Sequence, residues 1–145
     1  MSIGTFEDEV ITALKTNNDN TPNNDIHVSK YFGELSQPET YKHPQDGNPK
    51  LLIDYVKEDP DKNSLIKSKH TFSIYVAHIS FSGNNKTRQA KHKDIYSLLS
   101  YIDSRLSFAS FANSEPIRID KTEKIFDNLS QQGYLTVYQK RFTCV

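Results

Sequence analysis

The run Tyr134-Leu-Thr-Val-Tyr-Gln-Lys-Arg-Phe-Thr-Cys-Val145 decides the fold. Apolar or aromatic side chains alternate in it with polar ones, which is the period of a β-strand. A strand of that length needs a neighbouring strand, because its backbone donors and acceptors must be paired. The search for partners runs back along the chain. Gln132-Gly133 is a turn signal, and Ile117-Arg-Ile119 is a short strand candidate. Lys121 to Asn128 has no clear period and reads either as a loop or as one helical turn. Before that, Ile95, Leu98, Leu99, Ile102 and Leu106 form a single apolar stripe within a helical segment from about Lys86 to Phe108.

Further upstream the chain alternates again. Lys69 to Phe81 places Phe72, Ile74 and Val76 on one face and Tyr75, Ala77, Ile79 and Phe81 on the other. Leu51-Leu-Ile-Asp-Tyr-Val56 is a strand with apolar groups on both faces, and the turn cluster Glu58 to Ser64 makes an antiparallel pair of these two. Ile26 to Phe32 is a shorter strand. Gly33 to Lys50 holds three prolines and two glycines and reads as a long, mobile connection, as does Ser82 to Lys93. Thr16 to Asp25 is polar and turn-rich. An opening helix runs from Thr5, as cap, to about Lys15, with Phe6, Val10, Ala13 and Leu14 at helical spacing. Ile3 staples its entrance, and Glu7, Asp8 and Glu9 fill the first turn, where the helix dipole favours anions.

The predicted order is therefore α-β-β-β-α-β-β in one domain spanning 1–145. The fold class is α+β: a mainly antiparallel sheet of four to five strands with both helices on one face, since each helix has only one stripe to bury. The other face would bear Tyr and Thr side chains.

Composition narrows the functional classes. The 145 residues contain 18 basic and 18 acidic side chains, for a formal net charge of zero, which argues against non-specific nucleic-acid binding. The hydrophobic fraction is 35%, but eight Tyr and eight Phe supply large apolar areas for a modest core. The single cysteine, Cys144, excludes a disulfide framework and a four-cysteine zinc site, and fits a reducing cytosol. The first ten residues are acidic and do not read as a secretory signal, and no apolar run approaches the ~20 residues that cross a bilayer.

No constellation of catalytic or metal-binding residues emerges. Asp59-Pro-Asp-Lys-Asn63 opens like a calcium loop, but Ser64 stands where glycine is needed and His70 where glutamate is needed. His27, His43, His70, His78 and His92 are scattered without metal-ligand spacing. There is no nucleophile elbow, and five glycines cannot build a phosphate cradle. Cys144 has no sequence-adjacent helper. The expectation is a protein with no catalytic site, no cofactor and no metal. One segment stands out for charge: Lys86-Thr-Arg-Gln-Ala-Lys-His-Lys93. Lys86, Arg88, Lys91 and Lys93 oppose the dipole if they open the long helix. They read either as a contact to DNA or an acidic partner, or as a solvated loop ahead of a helix that starts near Asp94.

With these pieces placed, the chain resembles the Mu-like prophage gene-product-37 family, whose members look like phage tail terminators. The resemblance is spread over nearly the whole chain. It comprises the opening helix Ile3-Gly-Thr-Phe-Glu-Asp-Glu-Val-Ile-Thr-Ala-Leu14, a strand leading into Gly33-Glu-Leu35, and Pro49-Lys-Leu-Leu-Ile-Asp-Tyr55. The long third strand, the arginine region at Arg88, the helix Asp94-Ile-Tyr-Ser-Leu-Leu-Ser-Tyr-Ile102 and the closing pair Arg141-Phe142 complete it. The Asn-rich loop at 17–24 and the scarcity of small residues in the helices depart from the pattern. The resemblance implies a tail-terminator-like fold and a structural role: a homo-oligomeric ring, commonly hexameric, that caps the tail tube and meets the head-side connector. It implies partners in the tail tube protein and the head-tail connector protein, assembly in the bacterial host cytoplasm, and a final place in the virion tail. DNA would enter only as it passes through the ring lumen. Arg141 is the candidate for an intersubunit ion pair, with Arg88, Lys86, Lys91 and Lys93 as further interface candidates. A nucleic-acid-associated factor using 86–93 and a small adaptor protein are the alternatives.

Overall fold

The computed structural model describes residues 2–63, 66–81 and 85–145, and the side chains of all of these except 85–93. The element order is α1 (Ile3–Leu14), β1 (His27–Lys30), a 3-10 turn (Pro38–Thr40), β2 (Lys50–Pro60), β3 (Ser68–Ser80), α2 (Asn85–Leu106), β4 (Arg118–Leu129) and β5 (Tyr134–Cys144). The strands form a five-stranded sheet in the order β1-β2-β3-β5-β4. The closing strand thus lies between two neighbours: β3, in antiparallel register from His70↔Cys144 to Ser80↔Tyr134, and β4, also antiparallel. β2 and β3 are antiparallel, as their connecting turn predicts, whereas β1 joins β2 in parallel. The expected α+β class, element order and mainly antiparallel sheet are all present.

Both helices cover the same face. Phe6, Val10 and Leu14 of α1 meet Ile95, Leu98, Leu99, Ile102 and Leu106 of α2 over Leu51, Ile53, Phe72, Ile74, Val76 and Phe142 of the sheet. Each large side chain buried there contributes about 1.5–3 kcal/mol of transfer free energy. Phe6 stacks on Phe72 at 4.5 Å between ring centroids, and Phe72 stacks on Phe142 at 5.4 Å. The two helices are also tied end to side. The Tyr101 hydroxyl lies 2.8 Å from the Leu14 carbonyl, and Arg105 Nε donates to the Ala13 carbonyl at 3.1 Å. These contacts satisfy carbonyls that the last turn of α1 leaves without an intrahelical partner.

Several local expectations are corrected. The N-cap of α1 is Ser2, whose hydroxyl accepts from the Thr5 amide at 3.3 Å, not Thr5. Ile3 lies inside the helix, and Glu7, Asp8 and Glu9 fall beyond its first turn. The reason is an upstream cap of equal quality: Ser2 has extended backbone and starts the helix three residues early. β2 continues through Glu58, Asp59 and Pro60, paired with His70, Lys69 and Ser68. Proline is tolerated there because it ends the strand. α2 begins at Asn85 rather than near Asp94, so most of the loop expected from Ser82 to Lys93 is helical backbone, and 82–84 lie outside the described residues. The largest difference is β4, a continuous strand of 12 residues where the sequence predicts only Ile117–Ile119 and an irregular 121–128.

The connection 33–49 is packed down rather than projecting. Leu35 and Tyr41 are buried against Leu52, Ala77, Leu135 and Val137 on the sheet face opposite the helices. His43 is buried beneath it, with Nε2 donating to the Asn48 carbonyl at 2.7 Å, which leaves Nδ1 to accept from the Tyr41 hydroxyl at 3.1 Å. The β4–β5 turn locks onto the same loop: the His43 amide donates to Gln132 Oε1 at 2.6 Å and the Gln131 amide to the Glu39 carbonyl at 2.9 Å. That turn needs Gly133, since a Cβ there would stand 2.5 Å from the Ser80 carbonyl oxygen.

Candidate interaction face

The loop covers only one end of the sheet face opposite the helices. At the other end the strand registers assemble a row across four strands: Asp54 on β2, Ser73 on β3, Arg141 on β5 and Lys121 on β4. The adjoining row is Leu52, Tyr75, Gln139 and Glu123. Ser73 is fully buried, whereas Asp54, Tyr75, Gln139 and Arg141 are half-buried. Gln139 Nε2 donates to the Ser73 hydroxyl at 2.9 Å, and Lys121 pairs with Glu123 at 3.1 Å. The Tyr31 ring, at the end of β1, lies 4.9 Å from that of Tyr75.

Arg141 occupies the centre of this surface, and its Nε is buried without a hydrogen-bond acceptor among the described residues. A buried donor left unpaired is costly. Asp54 stands in the same row, two strands away. Burial raises its carboxyl pKa above the ordinary aspartate value, and burial likewise raises the Tyr31 and Tyr75 phenols. The face therefore offers a guanidinium, a desolvated carboxyl, an amide and two aromatic hydroxyls. These groups recognise polar and charged partners; no nucleophile–base pair stands among them.

The other predicted candidates fare differently. Lys86, Arg88, Lys91 and Lys93 are on the backbone of the first turns of α2, and their side chains lie outside the described residues. The acidic turn is divided between strand and turn: Asp59, within β2, pairs with Lys57 at 3.1 Å, and Asp61 Oδ1 accepts from the Asn63 amide at 3.2 Å. Ser64 lies outside the described residues. His27 pairs with Asp46 at 2.7 Å, His70 Nδ1 meets the Tyr55 hydroxyl at 3.2 Å, and His78 is buried. Among the described residues no three His, Cys, Asp or Glu side chains gather to hold a metal. The Cys144 thiol is buried in the helix-side core, and burial pushes its pKa up to about 11, away from thiolate chemistry.

Two features escape sequence reasoning. Asp54 has no sequence neighbour that marks it, because its row-mates come from three other strands. Lys140 is buried on the helix side, with Nζ 2.7 Å from Asp103 Oδ1 of α2 and 2.8 Å from Thr122 Oγ1 of β4. Its even-numbered position, in step with Phe142 and Cys144, is the available signal.

No helix among the described residues is long and apolar enough to cross a membrane. No protein-family model matches the chain, and no curated protein matches it. Among solved structures, a chain of the "Virion of native gene transfer agent (GTA) particle" is similar over 93% of this chain and 82% of that one, at 10% identity and a TM-score of 0.40.

Proposed function

We propose that this chain is a structural subunit of a phage or prophage tail: a tail terminator, of the Mu-like gene-product-37 kind it resembles, that forms a ring on the end of the tail tube. The observation that carries the reading is the ordered set of family-like pieces from Ile3 to Phe142, held in an α-β-β-β-α-β-β frame. The structure supplies supporting detail. The helix face is closed by its own core, and the opposite face keeps a half-buried polar surface around Arg141. In a ring, each subunit offers two different patches that meet head to tail. Arg141 would take a carboxylate of the neighbouring subunit through its terminal guanidinium nitrogens. Lys86, Arg88, Lys91 and Lys93 would face an acidic partner surface or the DNA in the lumen. In this reading the protein has no enzymatic activity. It works in the host cytoplasm during assembly and ends in the virion, between the tube protein and the connector.

Electron microscopy of the protein mixed with polymerising tail-tube subunits tests this. Rings at tube ends and arrested growth are expected. Tubes that grow past their normal length with bare ends would remove the terminator reading. Rings that persist with Arg141→Ala would remove only the assignment of that residue.

A further inference from the structure

We infer that the free edge of β4 is a docking surface for a second copy of this chain, laid antiparallel across a two-fold axis at Thr122. β4 is an edge strand of the sheet, and its outer backbone groups have no strand beside them among the described residues. Such edges invite strand addition unless their side chains forbid it. The outward side chains here are charged, and their order is what decides between repulsion and attraction. Reading from Ile119, the sequence is Ile-Asp-Lys-Thr-Glu-Lys-Ile125.

An axis through Thr122, normal to the sheet, sets Lys121 against Glu123 of the second copy and Glu123 against its Lys121. Asp120, in the bulge that bounds this segment, then falls next to Lys124 of the second copy. Every charged pair in this register is of opposite sign, the arrangement that stabilises cross-strand neighbours. Lys121 and Glu123 lie on one face, opposite Arg141 and Gln139, and Thr122 on the other, opposite Lys140. The axis preserves those faces, so both helix layers fall on the same side of the joined sheet. The existing Lys121–Glu123 ion pair would become half of a square of alternating charges.

The alternatives that preserve the faces fail by charge. Sliding by two residues one way puts Lys121 against Lys121; sliding the other way puts Glu123 against Glu123. The two bulges of β4, between Ile119 and Lys121 and between Lys124 and Phe126, bracket a regular segment of Lys121 to Lys124. They confine regular pairing to the segment where this register is selective. The contact is isologous, unlike the head-to-tail contact of a ring, and it holds or fails independently of the tail reading.

Sedimentation velocity over a concentration series tests the inference. The wild type is expected to dimerise. Lys121→Glu, which places like charges together at two symmetric points, should weaken the dimer by at least about tenfold. The double variant Lys121→Glu with Glu123→Lys, which rebuilds the square with its signs exchanged, should restore it. If a charge variant fails to fold by circular dichroism, Thr122→Cys decides: under oxidation it should give a disulfide-linked dimer through position 122. A monomer at all concentrations, an oligomer of any size that Lys121→Glu leaves unchanged, or a Thr122→Cys variant that does not cross-link would overturn the proposal.

Discussion

Lys140 and Asp103 show how one buried charge constrains a residue's neighbours. The Lys140 side chain is 2% exposed, while the Asp103 side chain is 47% exposed. The two partners are therefore not equivalent. Asp103→Ala leaves a buried cation with only the Thr122 hydroxyl, at an expected cost of about 1–3 kcal/mol. Lys140→Met leaves a carboxylate that water can solvate, and fills the same volume with apolar atoms. It should be the milder change, close to neutral. Urea denaturation of both variants checks this, and Lys140→Met costing more than Asp103→Ala would show that the ion pair itself is strongly stabilising. Phe108 offers a second test at this scale. It follows α2 with φ at 61° and an 81% exposed ring, so it suffers the left-handed conformation with little burial in return. Phe108→Gly should raise stability by about 0.5–1 kcal/mol, as relief of the Cβ clash exceeds the added entropy of the unfolded chain. A drop in melting temperature would mean that the ring packs better in solution than its exposure indicates.

The elements differ in how visible they are in the sequence, and the difference is physical. α1 and α2 are legible because each buries one stripe at a period near 3.6, and β3 because its alternation serves two covered faces. β4 is not. As an edge strand exposed from Asp120 through Ile125, it buries too little to impose alternation, and its charges look like those of a loop. The parallel pairing of β1 with β2 has no local signal either, since the two are set side by side only by the folding of the connection 33–49. For the candidate face, Arg141 is named in the sequence only through the family-like closing pair Arg141-Phe142, whereas Asp54, Ser73 and Gln139 join it only through register. The loop 33–49 illustrates the limit of composition. Its Pro and Gly content reads as mobile, but Leu35, Tyr41 and His43 anchor it. That anchor is pH-sensitive. Burial holds the His43 pKa below the usual value of 6.5, so the folded state prefers the neutral ring. The stability it contributes is complete above about pH 6.5 and is lost as pH falls from there towards the lower folded pKa, because the unfolded state takes up the proton first. The gap in unfolding free energy between wild type and His43→Asn should shrink between about pH 7 and pH 5. A gap that widens on acidification would contradict the neutral, buried ring.

At the scale of the molecule, the sheet has one face sealed by helices and one sealed only in part. What stays open includes the polar end of the second face, the β4 edge and the exposed Tyr96 of α2. The seal depends on both helices, and α1 contributes Phe6, Val10 and Leu14 to it. Phe6 is its anchor: fully buried, stacked on Phe72, and edge-on to Phe111 at 6.0 Å, which brings the segment after α2 into the same cluster. One ring thus links the first helix, the third strand and the connection to β4. Phe6→Ala should cost about 3–5 kcal/mol, a large part of the stability of a domain this size. Phe6→Leu, which keeps most of the volume, should cost less than about 1.5 kcal/mol. If the helices and sheet unfold as one unit, both variants lower the urea midpoint without changing the slope of the transition. A reduced slope, or a first transition that removes helical signal alone, would mean that α1 detaches before the sheet melts, and that the helix face is a closable surface instead of a permanent core.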